Sequence, residues 1–193
     1  MSVKIPVGIE SFAKMCEGGF YYVDKTAFIK ELLSQEFEAN LITRPRRFGK
    51  TLTMSMLEDF FDISRDSKAH FKGLAISKET SLCKQWQNKW PVVFLTLKSV
   101  EGLNFQGAYG RLEVLIANTC KKYDFLAESE AVNPADKELF IELMYQSANK
   151  QNLSDCLALL TRMMAAHYGK PAILLIDEYD VPRAKAHEHD YYA

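Results

Sequence analysis

A chain of 193 residues has room for one full domain or slightly more, not for two large ones. With 48% apolar and 12% aromatic residues it carries the material for a buried core, which excludes disorder and fibrous repeats. Lysine and arginine number 24 against 25 for aspartate and glutamate, so the net charge of −1 provides no long-range pull onto nucleic acid or membrane, and any polyanion contact must be local.

No stretch approaches the roughly 20 apolar residues of a membrane span, and Met1-Ser-Val-Lys-Ile-Pro6 lacks the apolar run of a secretory signal. Cys16, Cys83, Cys120 and Cys156 lie far apart, and the last two sit in apolar-periodic segments, as buried free thiols do. The expectation is a cytoplasmic protein without zinc, disulfides or a membrane partner.

The first periodic segment runs from Asp24 to Leu33 and sets Phe28, Ile29, Leu32 and Leu33 on one helical stripe, with Asp24 and Thr26 available as caps. Ala39-Asn-Leu-Ile-Thr43 is short and apolar, bounded by Pro45, and reads as a strand entering a basic turn. From Lys50, the residues Leu52, Met56, Leu57, Phe60 and Phe61 recur at helical spacing. After Trp90-Pro91, the run Val92 to Leu97 is rich in β-formers and reads as a buried strand. Three helical stretches follow, about 105–123, 137–148 and 154–168, the last stopped by Gly169 with Pro171 beyond it. Ala172-Ile-Leu-Leu-Ile176 then resembles a central parallel strand tipped by Asp177 and Glu178. Strands separated by helices imply an α/β fold with a mostly parallel sheet and helices on both faces, which takes ligands beyond the carboxyl ends of its strands.

Both charged motifs fall at such ends. Gly49-Lys50-Thr51 matches the close of the phosphate loop G-x-x-x-x-G-K-[ST] (Walker A), with a strand expected before it and a helix after. A helix N-terminus offers unpaired N–H groups and a partial positive charge; Gly49 admits close backbone approach, Lys50 can neutralise β- and γ-oxygens, and Thr51 offers a hydroxyl to Mg²⁺. Position 44 holds arginine where the motif has its first glycine, and Pro45 pushes Arg44 toward extended angles. Arg44, Arg46 and Arg47 add cationic charge that can offset lost backbone donors. Asp177 and Glu178 supply the carboxylate pair of a Walker B strand end, one for Mg²⁺ and one to activate water.

Tyr22-Val-Asp-Lys-Thr26, Arg44-Pro-Arg-Arg-Phe-Gly-Lys-Thr51, Phe71-Lys-Gly-Leu74, Trp90-Pro91 and Leu174-Leu-Ile-Asp-Glu-Tyr-Asp-Val-Pro182 together resemble the AAA-ATPase-like family of bacterial and archaeal proteins, over nearly the whole chain. In that family the arginine-opened loop is usual. The resemblance implies a P-loop NTPase-like three-layer sandwich that binds ATP with Mg²⁺. Arg44, Arg46, Arg47, Phe48, Gly49, Lys50, Thr51 and Leu52 would form the nucleotide site, Thr51 and Asp177 would hold the metal, and Lys50 and Glu178 would be catalytic. It also implies a PD-(D/E)XK nuclease-like domain after the ATPase-like part, or a partner protein in its place. Ala193 comes too early for that domain and for the last core strands, so residues 1–193 are expected to be a single P-loop domain incomplete at its C-terminus.

Three functions fit these features: a Mg²⁺-dependent ATP hydrolase, a nucleotide-binding regulatory or interaction module without turnover, and a nucleic-acid-associated remnant using the arginine loop. The absence of an N-K-x-D segment favours adenine over guanine. Asp24-Lys25-Thr26 is either a helix cap or a contact near the adenine or ribose. Tyr21 and Tyr22 are assigned to the core before base stacking, Phe60, Phe61, Trp86 and Trp90 to the core, and His187-Glu-His-Asp190 to a solvated tail. Tyr179, Asp180 and Arg183 either line the crevice or make loop contacts.

Overall fold

The computed structural model describes residues 4–35, 37–43 and 48–191, the side chains of Lys150 and Gln151 excepted. Two compact units make up the chain, Met1–Val92 and Val93–Ala193. Together the elements form a mixed α/β protein with many helices and a small parallel sheet.

In the first unit, helix α1 (Phe12–Glu17) begins where Ser11 accepts a hydrogen bond from the Lys14 N–H. α2 (Ala27–Ser34) and α3 (Lys50–Phe61) follow, then 3₁₀ turns at Lys68–Phe71 and Ala75–Lys78, then α4 (Thr80–Trp86). The apolar stripe expected on α3 buries Met56, Leu57, Phe60 and Phe61. Phe12 lies 5.0 Å from Phe71 and 5.2 Å from Tyr22, and Phe60 stands edge-on to Phe71 at 5.2 Å, so aromatic rings weld α1 and the first 3₁₀ turn to α3. Each fully buried phenylalanine contributes about 2 kcal/mol of transfer free energy. Tyr22 packs as expected, whereas Tyr21 is 60% exposed and belongs to no core.

Ala39–Thr43 is not a strand. Leu41 is 70% exposed, and no strand pairs with the segment among the described residues. A short apolar run has no β-structure of its own: the ladder needs a neighbour to take its N–H and C=O groups.

The second unit carries strand β1 (Val92–Thr96, whose first residue closes the first unit), helices α5 (Phe105–Lys122), α6 (Phe125–Glu128), α7 (Pro134–Met144), α8 (Lys150–Ser154) and α9 (Cys156–Tyr168), strand β2 (Ile173–Asp177) and helix α10 (Val181–Glu188). The caps are readable in the side chains. Asn104 accepts from the Gly107 N–H at 2.9 Å, Asn133 accepts from Ala135 at 2.9 Å ahead of Pro134, and Gly169 ends α9 in the left-handed region at φ 66°. α5 packs on α7 and α7 on α9 around Val93, Ile116, Phe140, Leu160 and Met163. Cys120 and Cys156 are buried in this core, which pushes their thiols up to about 12 and about 11; all four cysteines are free.

β1 and β2 pair with each other, and no third strand joins them among the described residues, so neither is central. β2 also alternates: Leu175 and Asp177 are buried while Leu174 is 37% exposed. An unbroken apolar run predicts cover on both sides. Here one side is open, because burial depends on what packs against a strand and not on its composition alone.

Candidate functional site

The two halves of the expected site lie on different units and are described separately. On the first unit, Gly49 is the N-cap of α3 with φ 74° and ψ 33°. The left-handed conformation favours glycine there, since a side chain costs about 1–2 kcal/mol in it. α3 then opens with Lys50 and Thr51, both half-buried, and no acidic residue stands in its first turn. The Thr53 N–H and hydroxyl both donate to the Gly49 carbonyl at 2.9 Å, which ties the helix start to the glycine. A lysine at a helix N-terminus opposes the macrodipole, so Lys50 costs stability unless an anion arrives. Phe48 is 61% exposed and Leu52 half-buried. Arg44, Arg46 and Arg47 lie outside the described residues.

Asp24-Lys25-Thr26 adjoins this loop. Asp24 Oδ1 accepts from the Thr26 N–H at 2.8 Å and hydroxyl at 2.7 Å, and Oδ2 accepts from the Ala75 N–H at 2.7 Å; the Thr26 hydroxyl accepts from the Ile76 N–H at 3.1 Å. Asp24 thus supports the start of α2 as a cap would, and clamps it to the second 3₁₀ turn. Partial burial raises its pKa, but the bonds from Thr26 and Ala75 and the charge of Lys78 outweigh it and hold the carboxyl below its ordinary value. Because the folded value is the lower one, this stabilisation is full above the unfolded pKa of about 3.9 and is lost as pH falls through the folded value. Asp24→Ala should lower stability by about 1 kcal/mol at pH 7, with the gap to wild type closing toward pH 2, as read by thermal denaturation.

On the second unit, Asp177 ends β2 at 3% exposure, and its Oδ2 is buried without a hydrogen-bond partner among the described residues. Such an atom costs about 1–3 kcal/mol unless water or a cation satisfies it. Glu178, half-buried, takes φ 53°, a strained angle for a residue with a side chain, at the point where the strand turns toward α10. The turn closes with the Val181 N–H donating to the Glu178 carbonyl at 3.1 Å. Strand alternation would send two successive side chains to opposite faces; the left-handed residue breaks that alternation directly after Asp177. Tyr179 is 48% exposed, Asp180 precedes α10 as its N-cap, and Arg183 is exposed on the helix. His187, Glu188, His189 and Asp190 are exposed, and no group of three or more His, Cys, Asp or Glu side chains is placed to hold a metal among the described residues.

Mg²⁺ asks less of a protein than such a cluster. It keeps several waters and is held through one or two protein oxygens plus substrate phosphates. Asp177 Oδ2, on the second unit, is an oxygen of that kind.

Two features had no reading in the sequence. Lys25 Nζ donates to the Phe48 carbonyl at 3.3 Å, which brings a second ammonium group to the loop. Asp59, 2% exposed on α3, takes His70 Nδ1 at 2.7 Å and Arg65 at 3.4 Å, while Arg65 also meets Glu58 at 2.8 Å and Asp62 at 3.2 Å. Burial opposes the Arg65 charge, but these carboxylates raise its pKa, so the buried Asp59 is compensated. The network fastens the end of α3 to the first 3₁₀ turn, and its members look like ordinary surface charges in the sequence.

A family model described as predicted AAA-ATPase matches residues 6–193. An uncharacterized protein in the vnfD 5′ region of Azotobacter chroococcum mcd 1 is 28% identical over 180 residues, which cover 93% of this chain and 29% of that protein. The chain therefore spans under a third of the relative's length. No solved structure matches it.

Proposed function

The chain belongs to the predicted AAA-ATPase family, and from that premise we propose that it binds ATP with Mg²⁺ and hydrolyses it, on a P-loop three-layer sandwich. The observation that carries the reading is the head of α3, where a left-handed Gly49 is followed by Lys50 and Thr51 with no acid in the first turn. That arrangement is unfavourable for the helix alone and favourable for a phosphate.

In this reading the first-turn N–H groups of α3 donate to phosphate oxygens and Lys50 neutralises the β- and γ-oxygens, with Arg44, Arg46, Arg47, Phe48 and Leu52 completing the loop. Thr51 and Asp177 would hold Mg²⁺, which when bound offsets charge on the phosphates. Glu178 accepts a proton from water as the water oxygen bonds to the γ-phosphorus. The bond from that phosphorus to the bridging oxygen breaks, and ADP departs with the electron pair. A nuclease-like domain or partner protein is the proposed recipient of the nucleotide signal, as the family resemblance implies.

Calorimetric titration with ATP and Mg²⁺, beside steady-state phosphate release, tests the proposal. One saturable site with Mg²⁺-dependent release is expected. Binding heat without release replaces the hydrolase by a nucleotide-dependent switch. Neither heat nor release, with DNA binding that weakens steeply in salt, favours the nucleic-acid reading.

A further inference from the structure

We propose that Lys25 is a positioning residue of the phosphate-binding loop: its ammonium group holds the Phe48–Gly49 peptide with the carbonyl toward Lys25 and the Gly49 N–H on the opposite side. The inference rests on the nucleotide reading for its ligand, and on the nucleotide-free chain for its geometry. Lys25 Nζ lies 3.3 Å from the Phe48 carbonyl oxygen, and a side-chain carbon added at Gly49 would lie 3.5 Å from the same ammonium. In a planar trans peptide the C=O and the following N–H point in opposite directions, so a cation that fixes one aims the other. No cis peptide occurs among the described residues. The Gly49 N–H precedes the first turn of α3, whose own N–H groups have no partners within the helix. Glycine lets this peptide rotate more readily than any other residue would, so an external hold has an entropy cost to remove.

The lysine is itself held. Its own N–H donates to the Tyr22 hydroxyl at 3.3 Å, and that hydroxyl contacts Met56 Sδ on α3 at 3.4 Å. The three Asp24 bonds tie the residues on either side of it, Asp24 and Thr26, to each other and Asp24 to Ala75. The ammonium and the loop it grips are therefore referenced to the same helix. A long, flexible lysine on a free loop would lose this registration through side-chain entropy. Its positive charge also stays at the end of α3 where phosphate would sit, so the residue orients a donor and adds to the local field.

Three chains decide the matter: wild type, Lys25→Met, which keeps the aliphatic length without the charge, and Lys25→Arg, which keeps a donor. In nucleotide-free protein the Gly49 amide resonance should shift in Lys25→Met and return toward wild type in Lys25→Arg, with unchanged melting temperatures. The Kd for ATP with Mg²⁺ should weaken about tenfold in Lys25→Met, as for loss of one charge-assisted hydrogen bond, and recover in Lys25→Arg. A Gly49 resonance in Lys25→Met that coincides with wild type overturns the inference, as does equal loss of affinity in both variants. A wild-type chain that takes up no ATP defeats the nucleotide reading instead, while the Gly49 comparison still decides the peptide hold.

Discussion

Lys50→Ala is expected to abolish ATP binding while leaving the fold as stable as before or slightly more so. The two effects separate because Lys50 stands at the first position of α3, behind Gly49 and without an acidic neighbour in the first turn. Alanine has the higher helix propensity, and removing a cation from the positive end of the macrodipole relieves a few tenths of a kcal/mol. A phosphate oxygen at about 4 Å loses roughly 4 kcal/mol of attraction at an effective dielectric of 20, enough for a fall in affinity near a thousandfold. Calorimetry and thermal denaturation on the same preparation read both sides. Unchanged affinity for ATP in the alanine variant would sink the proposed role of the loop, and a large drop in melting temperature would assign Lys50 to structure.

Glu178→Gln should retain ATP and lose phosphate release by roughly 10²–10⁴-fold, the usual share of a general base. Glutamine preserves size and hydrogen bonding but cannot accept the proton. The backbone gives a control that few catalytic carboxylates offer. Glu178 sits at φ 53°, where a side chain is strained, so Glu178→Gly should raise stability by about 1 kcal/mol while also losing turnover. Opposite movements of stability and rate would mean that strain is retained at this position for chemistry. A glycine variant that releases phosphate as fast as wild type would remove Glu178 from the mechanism.

Local chemistry made much of the chain readable in advance. The apolar spacing of Leu52, Met56, Leu57, Phe60 and Phe61 produces α3, and Gly169 stops α9 because both signals act within a few residues. Ala39–Thr43 carries the same kind of apolar signal and forms no strand, since its outcome depends on a neighbour and not on itself. β2 formed where expected, yet Leu174 is exposed, because a composition rich in leucine and isoleucine does not say how many faces are covered. The helix that follows Gly49 and the strand that ends at Asp177 were legible from their flanking residues, whereas the strand expected ahead of the loop was not formed. The left-handed turn at Glu178, the unsatisfied oxygen of Asp177 and the reach of Lys25 to Phe48 were not legible, being consequences of how the backbone bends and what comes to rest beside it.

Trp86 and Trp90 stack at 4.6 Å in the first unit, and they are the chain's two tryptophans. Intrinsic indole fluorescence therefore originates only within Met1–Val92. Compared with the far-ultraviolet dichroism of the helix-rich remainder, it lets an optical melt ask whether the two parts come undone at one temperature or at two.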